Sequence, residues 1–229
     1  MALIQKRNKK GITSGSYSRV FDNEELGRLI SLVHSTAISN GIELEKLILS
    51  KAQRAITDLN EFESILHKEF NDWNVVIVPK SVVRKSSIKS KKEPDFLILQ
   101  KTGEILNIIE LKDGWIFDTK KTGGEFEQLQ IFQDEISKKI SFITKIYICS
   151  FNNNNKDSIF NGLKRIIPKE NIMTGKEFCD LLQIDQHELQ EYRKKDADQN
   201  LKYFISELIK IRKVRQEILK QLSEDNKES

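Results

Sequence analysis

Cysteine is nearly absent: Cys149 and Cys179 are the only two in 229 residues, both in apolar contexts without metal-ligand spacing around them. That rules out a disulfide framework and points to reduced, buried thiols in a cytoplasmic protein. Three prolines and ten glycines are too few for a long flexible linker, and no internal repeat occurs. No apolar run approaches membrane-spanning length and the N-terminus lacks an apolar signal core, so no membrane partner is expected. The three histidines, His34, His67 and His187, are scattered, and neither a Ser/His/Asp nor a Cys/His pairing emerges. An excess of one charge is missing too. Lys and Arg total 38 against 34 Asp and Glu, a net +4, so a polyanionic partner has to be argued from local clusters.

What is present is a succession of short apolar runs between helical patterns. Asp22 is placed to cap a helix over 23–39 that Asn40-Gly41 would stop, and a second helical stretch covers 43–70 with a break near Ser50 or Asp58. Strands are expected at 74–79, 95–100, 105–112, 145–151 and 171–173. Helices are expected at 125–139, after the Gly123-Gly124 break, and at 157–167, 176–182 and 186–222. Three strands, a crossover helix and a returning strand make a mixed β-sheet flanked by helices. The chain thus reads as one α/β domain: a basic arm and N-terminal helices over 1–51, a core over 52–182, and a helical region over 183–229.

The runs Asp95-Phe-Leu-Ile-Leu-Gln100 and Ile105-Leu-Asn-Ile-Ile-Glu-Leu-Lys112 flank Lys101-Thr-Gly-Glu104. A turn centred on Thr102 and Gly103 makes them a β-hairpin with Asp95 opposite Glu110. Opposed side chains lie about 4.5–5.5 Å apart at Cβ, where two like charges repel. A divalent cation between them would remove that repulsion. Lys112 points to the same face as Glu110. Both hairpin faces are otherwise apolar, Leu97, Leu99, Leu106 and Ile108 on one, so layers should cover each. A plain surface ion pair at a strand end is the competing reading.

Pro94-Asp95…Glu110-Leu111-Lys112 resembles the signature of the PD-(D/E)xK nuclease superfamily, and the small all-in-one chain looks most like a type II restriction endonuclease. The resemblance covers about residues 52–151. It implies a restriction-endonuclease-like α/β fold, with helical N- and C-terminal additions here. It also implies Mg²⁺ as cofactor, held by Asp95, Glu110 and the carbonyl of Leu111, with Lys112 aiding the attacking water and the phosphate. The products implied are a 5′-phosphate and a 3′-hydroxyl. Many members add an acid from the helix before the first strand. Glu63, inside the stripe Ile56, Leu59, Phe62, Leu66, Phe70, is the candidate ligand here, or else a snorkelling residue at the stripe's edge.

Double-stranded DNA is the partner so implied. Two basic segments suit phosphate contacts: the Lys80–Lys92 loop, with Arg84, Lys85, Lys89, Lys91 and Lys92 among serines, and Thr119, Lys120 and Lys121. The loop could instead be a solvated hairpin tip, and the arm with Lys6, Arg7, Lys9 and Lys10 either tracks a groove or is a plain disordered end. Leu201, Phe204, Leu208, Ile211, Val214, Ile218 and Leu222 recur at helical spacing, packing on their own domain or on a second copy. A homodimer would match palindromic DNA, and a cognate DNA methyltransferase is expected in the same system rather than as a subunit. Two alternatives stand beside restriction: a structure-specific repair or recombination nuclease, and a non-catalytic DNA-binding protein of the same fold.

Overall fold

The computed structural model describes residues 1–7, 15–114 and 118–228; Lys9 and Lys10 of the basic arm lie outside them. In chain order the helices are α1 (Tyr17–Phe21), α2 (Glu24–Lys51), α3 (Leu59–Leu66), α4 (Lys80–Val83), α5 (Thr119–Ile136), α6 (Lys156–Gly162), α7 (Gly175–Leu182), α8 (Gln186–Leu208) and α9 (Arg212–Glu228). The strands are β1 (Val75–Pro79), β2 (Phe96–Gln100), β3 (Ile105–Lys112), β4 (Ile143–Ser150) and β5 (Ile172–Thr174). Two compact units form, one from Glu45–His187 and one from Met1–Leu44 with Glu188–Ser229.

The Glu45–His187 unit holds the sheet, ordered β1-β2-β3-β4-β5. β1, β2 and β3 pair antiparallel, and β4 and β5 join parallel. This is the mixed, helix-flanked α/β sheet expected from the run order. β2 and β3 pair Phe96 with Ile109 and Gln100 with Ile105, the register that sets Asp95 against Glu110. Gly103, at φ +78°, supplies the left-handed turn residue, and Glu104 follows at φ 49°.

Both faces of the hairpin are covered, as its unbroken apolar runs require. Leu97, Leu99, Leu106 and Ile108 pack in one cluster with Phe62 and Ile65 of α3 and Phe126, Leu129 and Phe132 of α5. On the other face Phe96 meets Phe178 of α7 at 6.3 Å, and Phe178 meets Phe151 edge-on at 6.5 Å. Gly175 opens α7 where a Cβ would overlap the Phe151 carbonyl oxygen. A capping box between Thr174 and Glu177 fixes that helix start.

Several helix boundaries differ from the sequence expectation. α2 passes straight through Asn40-Gly41, because its buried positions continue from Leu32 and Thr36 to Leu44 and Ile48. Asn40 instead accepts the Ala2 N–H at 3.0 Å. The cap of α2 is Asn23, accepting from the Leu26 N–H, whereas Asp22 ends α1 at φ 45°. α5 begins at Thr119, not after Gly124: Asp118 accepts the Lys121 N–H at 3.0 Å and the helix runs on through both glycines. The long terminal pattern divides at 209–211 into α8 and α9.

Candidate active site

Even-numbered residues of β3 and odd-numbered residues of β2 share the face that α5 covers. Asp95, Glu110 and Lys112 extend that face from buried leucine and isoleucine to a polar end. Glu110 is 7% exposed. The Asp95 carboxylate accepts the Leu111 N–H at 2.9 Å, and its backbone carbonyl accepts the Lys80 N–H at 3.1 Å. Lys112 Nζ lies 2.9 Å from Glu110 Oε1 and 2.6 Å from Glu125 Oε2, while Lys80 Nζ stands 3.9 Å from Asp95 Oδ1.

The electrostatics are those of a site short of positive charge. Burial raises the Asp95 carboxyl, against the Leu111 N–H and the Lys80 and Lys112 ammoniums. Glu110 is raised by burial first and by Asp95 next, with Lys112 opposing. Burial acts to lower Lys112, but Glu110 and Glu125 outweigh it and hold the ammonium protonated. Two largely shielded carboxylates that repel each other, Glu110 buried and Asp95 half-buried, are a fitting oxygen-donor pair for a hard divalent cation. Among the described residues no cluster of three or more His, Cys, Asp or Glu could hold a metal alone. Asp95 and Glu110 are the two carboxylates that meet at this end of the face.

Two acids at this site were not singled out from sequence. Glu45, near the end of α2, is pushed up to about 7 by burial and then by Asp95, with Glu110 adding and Lys80 opposing. Its sequence signal is its place beside the apolar pair Leu44 and Ile48 within a stretch expected to be helical. Glu125, 7% exposed on α5, was passed over because the helix was expected to begin there.

Glu63, the acid expected from the preceding helix, is engaged by Ser87. Its two oxygens accept the Ser87 N–H at 2.6 Å and the Ser87 hydroxyl at 2.7 Å, with His67 Nε2 at 3.7 Å. It ties α3 to the segment after α4, and Glu45 is the helical acid that feels Asp95 and Glu110. The basic segment is likewise less loop-like than expected. Lys80–Val83 is helical, Val82, Val83, Ser86 and Ile88 are buried, and Arg84 pairs with buried Glu93 at 3.4 Å. Lys85, Lys89, Lys91 and Lys92 are exposed. Thr119, Lys120 and Lys121 form the first turn of α5.

The chain is 41% identical over 216 residues to the type II restriction enzyme HhaII of Haemophilus parahaemolyticus, covering 90% of this chain and 93% of that one. The chain belongs to the type II restriction enzymes. Its class is that of a site-specific deoxyribonuclease, and the match extends well beyond the hairpin into the helical ends. No family model and no solved structure matches the chain. The enzyme's acid pair and lysine therefore stand on their own geometry: three groups from two adjacent strands, with α5 supplying a fourth.

Proposed function

We propose that this restriction enzyme hydrolyses phosphodiester bonds of double-stranded DNA by the PD-(D/E)xK chemistry, with Pro94-Asp95…Glu110-Leu111-Lys112 as its signature. The observation that carries this reading is the repelling pair of half-buried Asp95 and buried Glu110, with Lys112 Nζ 2.9 Å from Glu110. Asp95, Glu110 and the Leu111 carbonyl would hold Mg²⁺. When bound, that ion supplies concentrated positive charge to the phosphate. Lys112, kept protonated by its two acids, acts as a donor that orients the attacking water and steadies charge growing on a phosphate oxygen. Glu45, raised in part by Asp95 and Glu110, adds a third acid to the charge balance of the pair. The exposed lysines 85, 89, 91 and 92, with Thr119, Lys120 and Lys121, would seat the DNA backbone. Products with 5′-phosphate and 3′-hydroxyl ends, a homodimer on a two-fold site, a cytoplasmic setting and a cognate methyltransferase in the same system complete the reading.

The match to a restriction enzyme along nine-tenths of the chain favours this reading over a repair nuclease or a non-catalytic relative. Digestion of unmethylated phage DNA with magnesium tests it. Discrete fragments with a common end sequence are expected, abolished by EDTA and by Lys112→Ala. Wild-type-like fragments from Lys112→Ala would refute the site.

A further inference from the structure

Lys112 has two acidic partners with different obligations. Glu110, at 2.9 Å, is half of the carboxylate pair to which the cation is assigned above, and the inference here rests on that assignment. Glu125, at 2.6 Å, comes from α5, outside the sheet, and its side chain is only 9% exposed. A buried carboxylate is costly unless paired. Glu125 therefore needs Lys112 as much as Lys112 needs an anion. The helix delivers it there by construction. Asp118 caps α5 at its start, and Phe126, Leu129 and Phe132 lock the following turns onto the sheet face. Thr122, one turn before Glu125, is buried as well.

In the structure the ammonium bridges both acids. A divalent cation and an ammonium cannot both draw fully on Glu110, because each draws on the charge of the same carboxylate. Whatever holds Lys112 from the far side reduces that competition.

We propose that Glu125 is a positioning residue that shares Lys112 with Glu110, weakening the lysine's hold on the Asp95–Glu110 pair in favour of the cation while keeping the ammonium beside it. Without Glu125 the lysine is left to Glu110 and, at longer range, Asp95, the two acids assigned to the cation, and becomes an internal competitor of the metal. The sequence gives no hint of this, since thirteen positions separate the two residues and only the packing of α5 brings them together.

The competition makes a pattern that a merely structural role does not. Calorimetric titration of Mn²⁺ into the DNA-free protein reads cation affinity without turnover. Glu125→Gln should weaken binding about tenfold or more. Lys112→Ala should bind at least as tightly as wild type. The double variant Lys112→Ala/Glu125→Gln should match Lys112→Ala, since no competitor is left. Glu125→Asp should recover part of the loss, and melting curves check that each variant folds. Wild-type affinity in a folded Glu125→Gln, or additive losses in the double variant, would overturn the proposal. If wild type itself takes up no cation while Glu125→Gln still cleaves DNA normally, the metal assignment fails, and this inference with it. If wild type binds and Glu125→Gln binds equally, only the inference fails.

Discussion

At the scale of single residues, Glu45 and Glu63 separate two accounts of the helical acid. Glu63 is held by both hydrogen-bond donors of Ser87, whereas Glu45 answers to Asp95 and Glu110. Glu45→Gln should lower cleavage at neutral pH by about 10- to 100-fold, while Glu63→Gln should stay within about threefold of wild type, in plasmid-nicking rates. Glu45 also makes a pH signature. In the fold its carboxyl holds a proton up to about 7, against an ordinary value of 4.5. The folded state then binds more protons than the unfolded chain between those values. The contribution is fully present below the unfolded value and is lost as pH rises through the folded one. In EDTA, wild-type melting temperature should decline from pH 4.5 toward 7 more steeply than that of Glu45→Gln. Parallel curves would show that Glu45 does not carry the shift.

At the scale of elements, close approach at Gly175 makes the start of α7 a sensitive joint. A methyl there would overlap the Phe151 carbonyl. Gly175→Ala should cost about 1–3 kcal/mol in denaturant unfolding, the range for overpacking. An unchanged midpoint would mean that this contact relaxes freely. The strands were the most legible elements, because apolar runs bounded by turn residues leave little choice of type or register. The β2–β3 pairing, and with it the meeting of Asp95 and Glu110, followed from one glycine at φ +78°. Helix ends were harder. Gly41 and the Gly123-Gly124 pair look like stops, yet buried residues on both sides carry α2 and α5 through them. Local composition marks where a helix could end, whereas long-range packing decides whether it does.

At the scale of the whole molecule, a net charge of +4 says little, and the placement of charge says more. Lys89, Lys91 and Lys92 are exposed within a segment whose apolar residues are buried, so their ammoniums are presented on a fixed backbone. Replacing all three with alanine should flatten the dependence of log affinity for non-specific duplex on log salt by about two to three. An unchanged slope would remove this segment from the DNA interface. Arg84 should contribute less, being neutralised by Glu93. The helical unit built from both chain ends leaves Leu219 and Leu222 of α9 more than half exposed. If the enzyme pairs on a two-fold site as proposed, sedimentation at micromolar concentration shows a dimer, and a monomer there would remove that part of the proposal.

Everything at the larger scales serves one local arrangement, and magnesium-dependent cleavage reads it most directly. Plasmid digestion across a Mg²⁺ titration, by wild type, Asp95→Asn and Glu110→Gln, isolates the two carboxylates with little change of shape. Turnover should fall by more than about a thousandfold in both variants at every Mg²⁺ concentration, with duplex binding retained. Either variant cutting at the wild-type rate with the wild-type Mg²⁺ midpoint would contradict the assignment of the cation to Asp95 and Glu110.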